Sequence, residues 1–322
     1  MIRHALCTLT FLLFVLGPSQ GAAHPAVAIE GQVVMGTVIE VTVAAASPQD
    51  AQAIAREAVT IARYWDEVLS PFLPYSELSR LHQHATHPIY PSEALRWALR
   101  RAVDLSLATR GAFDPAYRST FSATHPSEPA MPRILEVIEW REAGVRLSPG
   151  GSIDPGAFGK GIALDAIASW ARARGAQEIF VNFGGSSFLR EAEPRFRGQP
   201  RRVLLPDATS QPLGIAELDS GSLSVSTSGQ HDDATPIVDP TTGKAVGPRR
   251  MAAAWATDAT SADAWSTALI VLGSSGIPLA QEQGVEALVW DEGGVATTKH
   301  FPWRRASPHD ATNLSRLEAG NQ

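Results

Sequence analysis

The stretch Ile153-Asp154-Pro155-Gly156-Ala157-Phe158-Gly159-Lys160-Gly161 decides how the chain is read. A helical segment from Gly161 to Arg174 follows, stopped by Gly175. An apolar strand from Glu178 to Phe183 then runs into Gly184-Gly185. Glycines at a helix start leave backbone N–H groups open, and the helix dipole adds positive potential there. Lys160 contributes a full charge in the same place. This suits a phosphate or diphosphate, although a turn with a solvated lysine would read the same way. Gly161 follows Lys160 where a Walker A loop needs Ser or Thr, and the glycine spacing is not a Rossmann fingerprint.

Outward from this stretch, helices and strands alternate without a regular βαβ rhythm. Pro48 to Leu69 reads as a helix, with Ile54, Ala58, Ile61, Trp65 and Val68 on one apolar stripe. Ser92 to Ala108 is a second helix, with Ser92 as N-cap and Gly111 as stop. Ser261 to Leu272 is another helix. Val33 to Val43 reads as one strand interrupted at Met35-Gly36-Thr37. Leu223 to Thr227 and Val285 to Asp291 read as strands, the latter ending in a Gly293-Gly294 turn. The pattern favours an α+β fold with a single large domain over residues 29–305. Ser119 to Pro132 reads as a loop, and 306–322 as a disordered tail.

The chain has 322 residues, 44% of them hydrophobic and 19% charged, with a net charge of -6. This is a globular composition, and a mildly acidic chain is a poor general binder of nucleic acid. Cys7 is the single cysteine, so neither an intrachain disulfide nor a thiolate metal site can form. Met1 to His4 is a short basic start, and Ala5 to Leu16 is apolar but short for a bilayer span. Small residues follow Gly17-Pro18. This is the layout of a signal peptide cleaved after Ala23, or as late as Ala28. An uncleaved anchor is the alternative. Cys7 precedes most of the apolar run, unlike a lipoprotein cysteine. The expected destination is a bacterial periplasm, with no transmembrane anchor after cleavage.

Asp263 and Thr267 are four residues apart and share one helix face. A carboxylate and a hydroxyl so placed can bind a hard cation such as Mg²⁺, although an Asp near a helix start is also a common cap. Asn182 to Gly185 and Ser226-Thr227-Ser228-Gly229 place small residues after strands, where a ligand can approach the backbone. The run His82-Gln83-His84-Ala85-Thr86-His87 reads as a solvated loop rather than a metal site. Trp65, Trp97 and Trp170 read as core. Gly17 to Gly21 matches a serine-hydrolase pattern by chance, inside the export segment.

Taken in order, these clusters resemble the ApbE family, the FAD:protein FMN transferases. Met35-Gly36-Thr37 resembles the family's opening MGT. Leu69-Ser70-Pro71-Phe72 with Ser76 to Leu81 is similar to its S-x-Y…S-E-x-S-x-L-N segment. Gly111-Ala112-Phe113-Asp114-Pro115 matches G-A-F-D-P. Asp154 to Gly161 with Asp165 resembles D-L-G-G-I-A-K-G-Y-A-V-D. Asn182 to Gly185, Thr227-Ser228-Gly229, Asp239-Pro240 with Thr242-Gly243, and Ala262-Asp263 with Thr267 follow in the family's order.

The resemblance implies an ApbE-like, T-fold-related α+β domain with FAD in a deep cleft and Mg²⁺ at its pyrophosphate. It implies that Asp263, Thr267 and the Gly159 carbonyl hold the metal. Met35, Gly36, Thr37, Lys160, Asp165, Gly184, Gly185, Thr227 and Ser228 would bind the cofactor. The implied reaction moves FMN from FAD to a Ser or Thr hydroxyl of an exported flavoprotein and releases AMP. The chain departs from the family where Pro236 and Thr241 replace the His and Arg of H-I-x-D-P-R-T-G, and Ser186 replaces Asp or Asn. Proline offers neither a base nor an N–H donor. His231, five residues upstream, is then the candidate for the missing role, with Asp239 as the other catalytic candidate. The alternatives are an FAD pyrophosphatase and a non-catalytic FAD-binding protein.

Overall fold

The computed structural model describes residues 25–83, 87–116, 134–142, 144–228, 237–240, 242–247, 249–307 and 310. The export segment, the loop at 119–132, His84, His231 and Pro236 lie outside the described residues.

The strand expected over Val33 to Val43 is instead a hairpin. β1 (Ala26–Val34) and β2 (Thr37–Ala45) pair antiparallel, with Val34 opposite Thr37. Met35 and Gly36 make the turn between them, at φ of 50° and 74°. Positive φ at both positions is what a type I′ turn requires. Glycine accepts it freely, whereas Met35 is strained there. Asp66 anchors the Met35 N–H with Oδ2 at 3.2 Å.

Asp66 belongs to α1 (Pro48–Leu69), which has the expected bounds. Ser47 caps it by accepting the Asp50 N–H at 3.1 Å. Its apolar stripe is buried, Ile54, Trp65, Val68 and Leu69 included, and each such side chain contributes roughly 1.5–3 kcal/mol. Then come α2 (Glu77–Gln83), α3 (Glu93–Ala108), α4 (Ile134–Val137) and a small hairpin of β3 (Ile138–Arg141) and β4 (Gly144–Leu147). Ser92 caps α3 as expected, accepting the Leu95 N–H. A single 3₁₀ turn at Pro155–Ala157 leads into α5 (Gly159–Ala173), which starts two residues earlier than its periodicity suggests.

The remaining elements are β5 (Glu178–Phe183), β6 (Ser187–Ala192), β7 (Arg201–Pro206), β8 (Pro212–Leu218), β9 (Gly221–Ser228), β10 (Arg250–Ala256), α6 (Ala259–Leu272), α7 (Ile277–Glu282), β11 (Glu286–Asp291), β12 (Gly294–Thr297) and β13 (Trp303–Arg305). Eight strands form one antiparallel sheet in the order β1-β2-β5-β6-β9-β10-β11-β12, and β13-β8-β7 form a second. Helices α1, α5 and α6 cover one face of the large sheet, with α1 over β1 and β2 and α6 over β9 and β10. On the other face a second apolar cluster joins Phe188, Leu223, Met251 and Leu288 to Val203, Leu205 and Leu218 of the small sheet. The α+β class is as expected.

Two local expectations fail. His82 is on α2, not in a loop, and its Nε2 accepts the Ile153 N–H at 3.0 Å. Trp97 is exposed; only Trp65 of the three tryptophans is buried, and it lies 6.1 Å from Trp97 between ring centres. Of 306–322, the described residues are 306, 307 and 310, where Asp310 pairs with Arg304 and accepts the Ser307 N–H. Among the described residues no helix is long and apolar enough to cross a membrane.

Candidate functional site

The starts of α5 and α6 meet at Gly161. A Cβ there would lie 2.5 Å from the Ala259 carbonyl oxygen and 2.6 Å from the Thr260 Cα. Only glycine lets the two helices approach so closely. Asp165, one turn further along α5, locks the contact. Its carboxylate accepts the N–H groups of Ala259 at 2.6 Å and Thr260 at 3.0 Å, and the Thr260 hydroxyl. Burial pushes the Asp165 carboxyl above its ordinary value, against these hydrogen bonds. Asp165 was expected at the cofactor, and in the fold its carboxylate is engaged by the start of α6. Its hydrogen bonds hold the N-terminus of α6, and it is not among the residues lining the cleft.

This junction sets Asp263 beside Lys160. Asp263 is 4% exposed. Its Oδ2 accepts the Gly161 N–H at 3.1 Å. Its Oδ1 accepts the hydroxyls of Ser187 at 3.2 Å and Ser224 at 3.0 Å, and lies 3.8 Å from Lys160 Nζ. Ser224 and Ser226 alternate along β9 and face α6, where Ser226 meets the Ser266 hydroxyl at 2.8 Å and Thr267 Oγ1 at 3.5 Å. A row of hydroxyls thus underlies the Asp263 and Thr267 face.

A cleft of about 430 Å³ opens above Lys160. Met35, Gly36 and Thr37 line one side, Ser70 to Leu73 another, Asp154 to Gly156 the floor, and Gly184 and Ser186 the rest. Thr37 packs on Gly184, where a Cβ would meet its Oγ1 at 2.7 Å. Gly184 and Gly185 both take positive φ, and the Gly185 N–H donates to Asn182 Oδ1 at 3.0 Å. Phe72 stands at the cleft with 89% of its surface exposed. A second cavity of about 210 Å³ shares Asp154 and Gly156 with the first, and reaches Asp114, Val238, Pro240 and Thr267.

Most of the residues expected at the site converge, and some do not. Met35, Gly36, Thr37, Lys160 and Gly184 line the first cleft, and Thr267 lines the second. Gly159 starts α5, next to Met35 and Leu69. Asp239 lies between Val238 and Pro240, with its Oδ2 accepting the Thr242 hydroxyl at 2.9 Å. Thr227 departs from expectation: it alternates with Ser226, on the side of β9 that carries Leu223 and Val225 into the second apolar cluster. Ser228 closes β9 opposite Arg250. Sequence reasoning missed Ser187, Ser224 and Asp66. The alternation of serine in Ser222, Ser224, Ser226 and Ser228 was a readable signal for a hydroxyl-bearing strand face.

The donor chemistry around Asp263 is all oxygen: a buried carboxylate, and the Thr267 hydroxyl one turn on. Among the described residues no three His, Cys, Asp or Glu side chains gather as a metal site. A cation that takes few protein oxygens and keeps water or phosphate ligands suits such a set, which fits Mg²⁺.

The ApbE family model matches residues 35–289. The chain belongs to the ApbE family. Solved ApbE structures share its fold. The flavin transferase ApbE from Vibrio cholerae is 19% identical with a TM-score of 0.69, covering 88% of this chain and 98% of its own. The ApbE protein from Thermotoga maritima is 21% identical with a TM-score of 0.72, covering 85% and 98%. The apo flavinyl transferase ApbE of Pseudomonas stutzeri is 20% identical with a TM-score of 0.69, covering 87% and 96%. A sequence search of curated proteins finds no match. In this ApbE chain, the matched span runs from the cleft turn at Met35 into β11 of the large sheet.

Proposed function

We propose that the protein is an exported, Mg²⁺-dependent FAD:protein FMN transferase, with FAD in the cleft above Lys160. The observation that carries this reading is that Lys160, which lines a cleft built from the family's motifs, lies 3.8 Å from Asp263 buried behind it. A diphosphate placed there meets the Lys160 ammonium and the open N–H groups at the start of α5. The turn at Met35 and Gly36, the Thr37–Gly184 contact and the Ser70–Leu73 wall shape the space for the flavin and adenosine ends.

In the reaction, the acceptor Ser or Thr oxygen bonds to the phosphorus of the FMN half. The bond from that phosphorus to the bridging oxygen breaks, and AMP leaves with the bridging oxygen. The hydroxyl proton passes to a base. Asp263, Thr267 and the Gly159 carbonyl are the residues that would hold Mg²⁺, which when bound neutralises charge on the diphosphate. Lys160 supplies further positive charge, and positioning of the two reactants accounts for most of the acceleration. Asp239 and His231 are the candidates for handling the proton. His231→Ala should slow transfer at least tenfold; unchanged transfer would remove His231 from the mechanism.

The acceptor is an exported flavoprotein with a Ser or Thr flavinylation motif, reached after a signal peptide directs the chain to the periplasm. β1 begins at Ala26, so cleavage after Ala23 leaves it whole and cleavage after Ala28 trims it. One observation favours a second reading: Pro236 stands where the family has histidine. A protein that holds FAD without transferring FMN would follow from that loss.

The deciding experiment incubates the purified chain with FAD, Mg²⁺ and a folded acceptor domain carrying the motif, and reads the intact mass of the acceptor. A gain of one FMN with AMP released is expected. An unmodified acceptor with intact FAD would replace transferase by flavin binder, and free FMN would point to a pyrophosphatase.

A further inference from the structure

Within the chain, the Asp263 carboxylate accepts three hydrogen bonds and faces one cation. An ionised carboxylate accepts about four hydrogen bonds. Ser187 and Ser224 donate to Oδ1 and Gly161 to Oδ2, and Lys160 Nζ lies 3.8 Å from Oδ1. The first three are neutral and short enough to fix the carboxylate in place. Among the described residues, Lys160 is the one cation within 4 Å of Asp263. Its distance exceeds the 2.7–2.9 Å or so of a hydrogen-bonded ion pair. Charge, not a hydrogen bond, therefore holds it near Asp263. The lysine also lines the cleft, so it can turn toward a ligand there without leaving α5.

We propose that Lys160 is an exchangeable counter-ion. It neutralises Asp263 while the cleft holds no diphosphate. It turns to the diphosphate when FAD binds, and only then does the uncompensated charge of the Asp263 carboxylate favour a divalent cation, for which Oδ2 keeps an acceptor position beyond the Gly161 N–H. The proposal deepens the FAD reading of this cleft and rests on it. Two cations at one carboxylate repel each other, so lysine and metal are alternates there until an anion separates them. Ser187 and Ser224 act as positioning residues. They hold Oδ1 in one orientation throughout, so the exchange asks nothing of the α6 backbone.

The test is a titration of the full purified chain with Mn²⁺ alone, followed by electron paramagnetic resonance, with no nucleotide present. The parent should bind Mn²⁺ weakly. Lys160→Met should bind it about tenfold more tightly, the size of effect one nearby unit charge produces in a partly screened site. Lys160→Arg, which keeps the charge, should stay close to the parent. Asp263→Asn should lose the binding that Lys160→Met gains, read in the double variant. Equal Mn²⁺ affinity in the parent and Lys160→Met, or equal tightening in Lys160→Arg, would overturn the proposal, as would the absence of Mn²⁺ binding in every variant. The expected Mn²⁺ pattern together with an acceptor that gains no FMN would count against transfer and leave the exchange standing.

Discussion

Two buried carboxylates on the large sheet and its covering helix are treated in opposite ways. Glu178 on β5 is enclosed by guanidinium groups. Arg190 Nε donates to its Oε1 at 2.9 Å, and Arg201 donates to both carboxylate oxygens at 3.0 and 3.1 Å. Arg190 is itself 1% exposed, and it also donates to the carbonyls of Asp219 and Phe196. Burial pushes the Glu178 carboxyl up, but the hydrogen bonds from Arg201 and Arg190 outweigh it and hold the carboxyl below its ordinary value. Asp263 is equally buried, yet it meets neutral hydroxyls, one backbone N–H and a lysine held at 3.8 Å. The first arrangement is closed, with every charge bound to a fixed partner. The second leaves its one cation loose beside an open cleft. That difference separates a carboxylate that ties strands together from the one proposed to serve a ligand.

The contrast breaks most clearly at Asp263. Asp263→Asn should lower FMN transfer by at least about a thousandfold while the fold persists, since the proposed metal site loses its charge. Acceptor mass against time, with circular dichroism as the fold control, checks this. Arg190→Leu should do the reverse. Removing one partner of a buried ion pair destabilises by about 3–5 kcal/mol, read by urea unfolding, while transfer per folded molecule changes little. Gly161→Ala bears on both quantities. Its new Cβ must push α5 from α6, which costs about 1–3 kcal/mol and moves Lys160 relative to Asp263, so unfolding and transfer should fall together. The smallest effect is on pH dependence. Because the Glu178 carboxyl is lowered in the fold, its stabilisation is present above the ordinary value of 4.5 and is lost as pH falls through the folded value. Glu178→Gln should flatten the acid limb of stability between pH 4.5 and lower pH, relative to the parent.

Elements whose sequence carries its own local signals were legible. In α1 and α3 an apolar stripe begins beside a serine cap, and β5 is a short apolar run bounded by glycines. β10 was not legible, because Arg250–Ala256 is mostly alanine, a weak strand former that pairs here because β9 and β11 flank it. The hairpin at Met35 was hidden for a different reason. A non-glycine residue at positive φ leaves no mark in the sequence, and the anchor Asp66 lies 31 residues away. At the site, the spacing of Asp263 and Thr267 placed them on one face. The role of Asp165 could not be read the same way, since its partners Ala259 and Thr260 are more than ninety residues downstream.

The close seat of Gly161 against Thr260, with Asp165 across the joint, also bears on time. Lys160 and Asp263 ride on helices locked to each other at that point, so their separation can change through the torsions of one lysine side chain. Rotamer changes of exposed side chains take picoseconds to nanoseconds, whereas hinge motions take microseconds to milliseconds. Answering an arriving anion at this joint thus asks for the torsions of one side chain, on the fast side of that divide, and for no movement of α5 against α6.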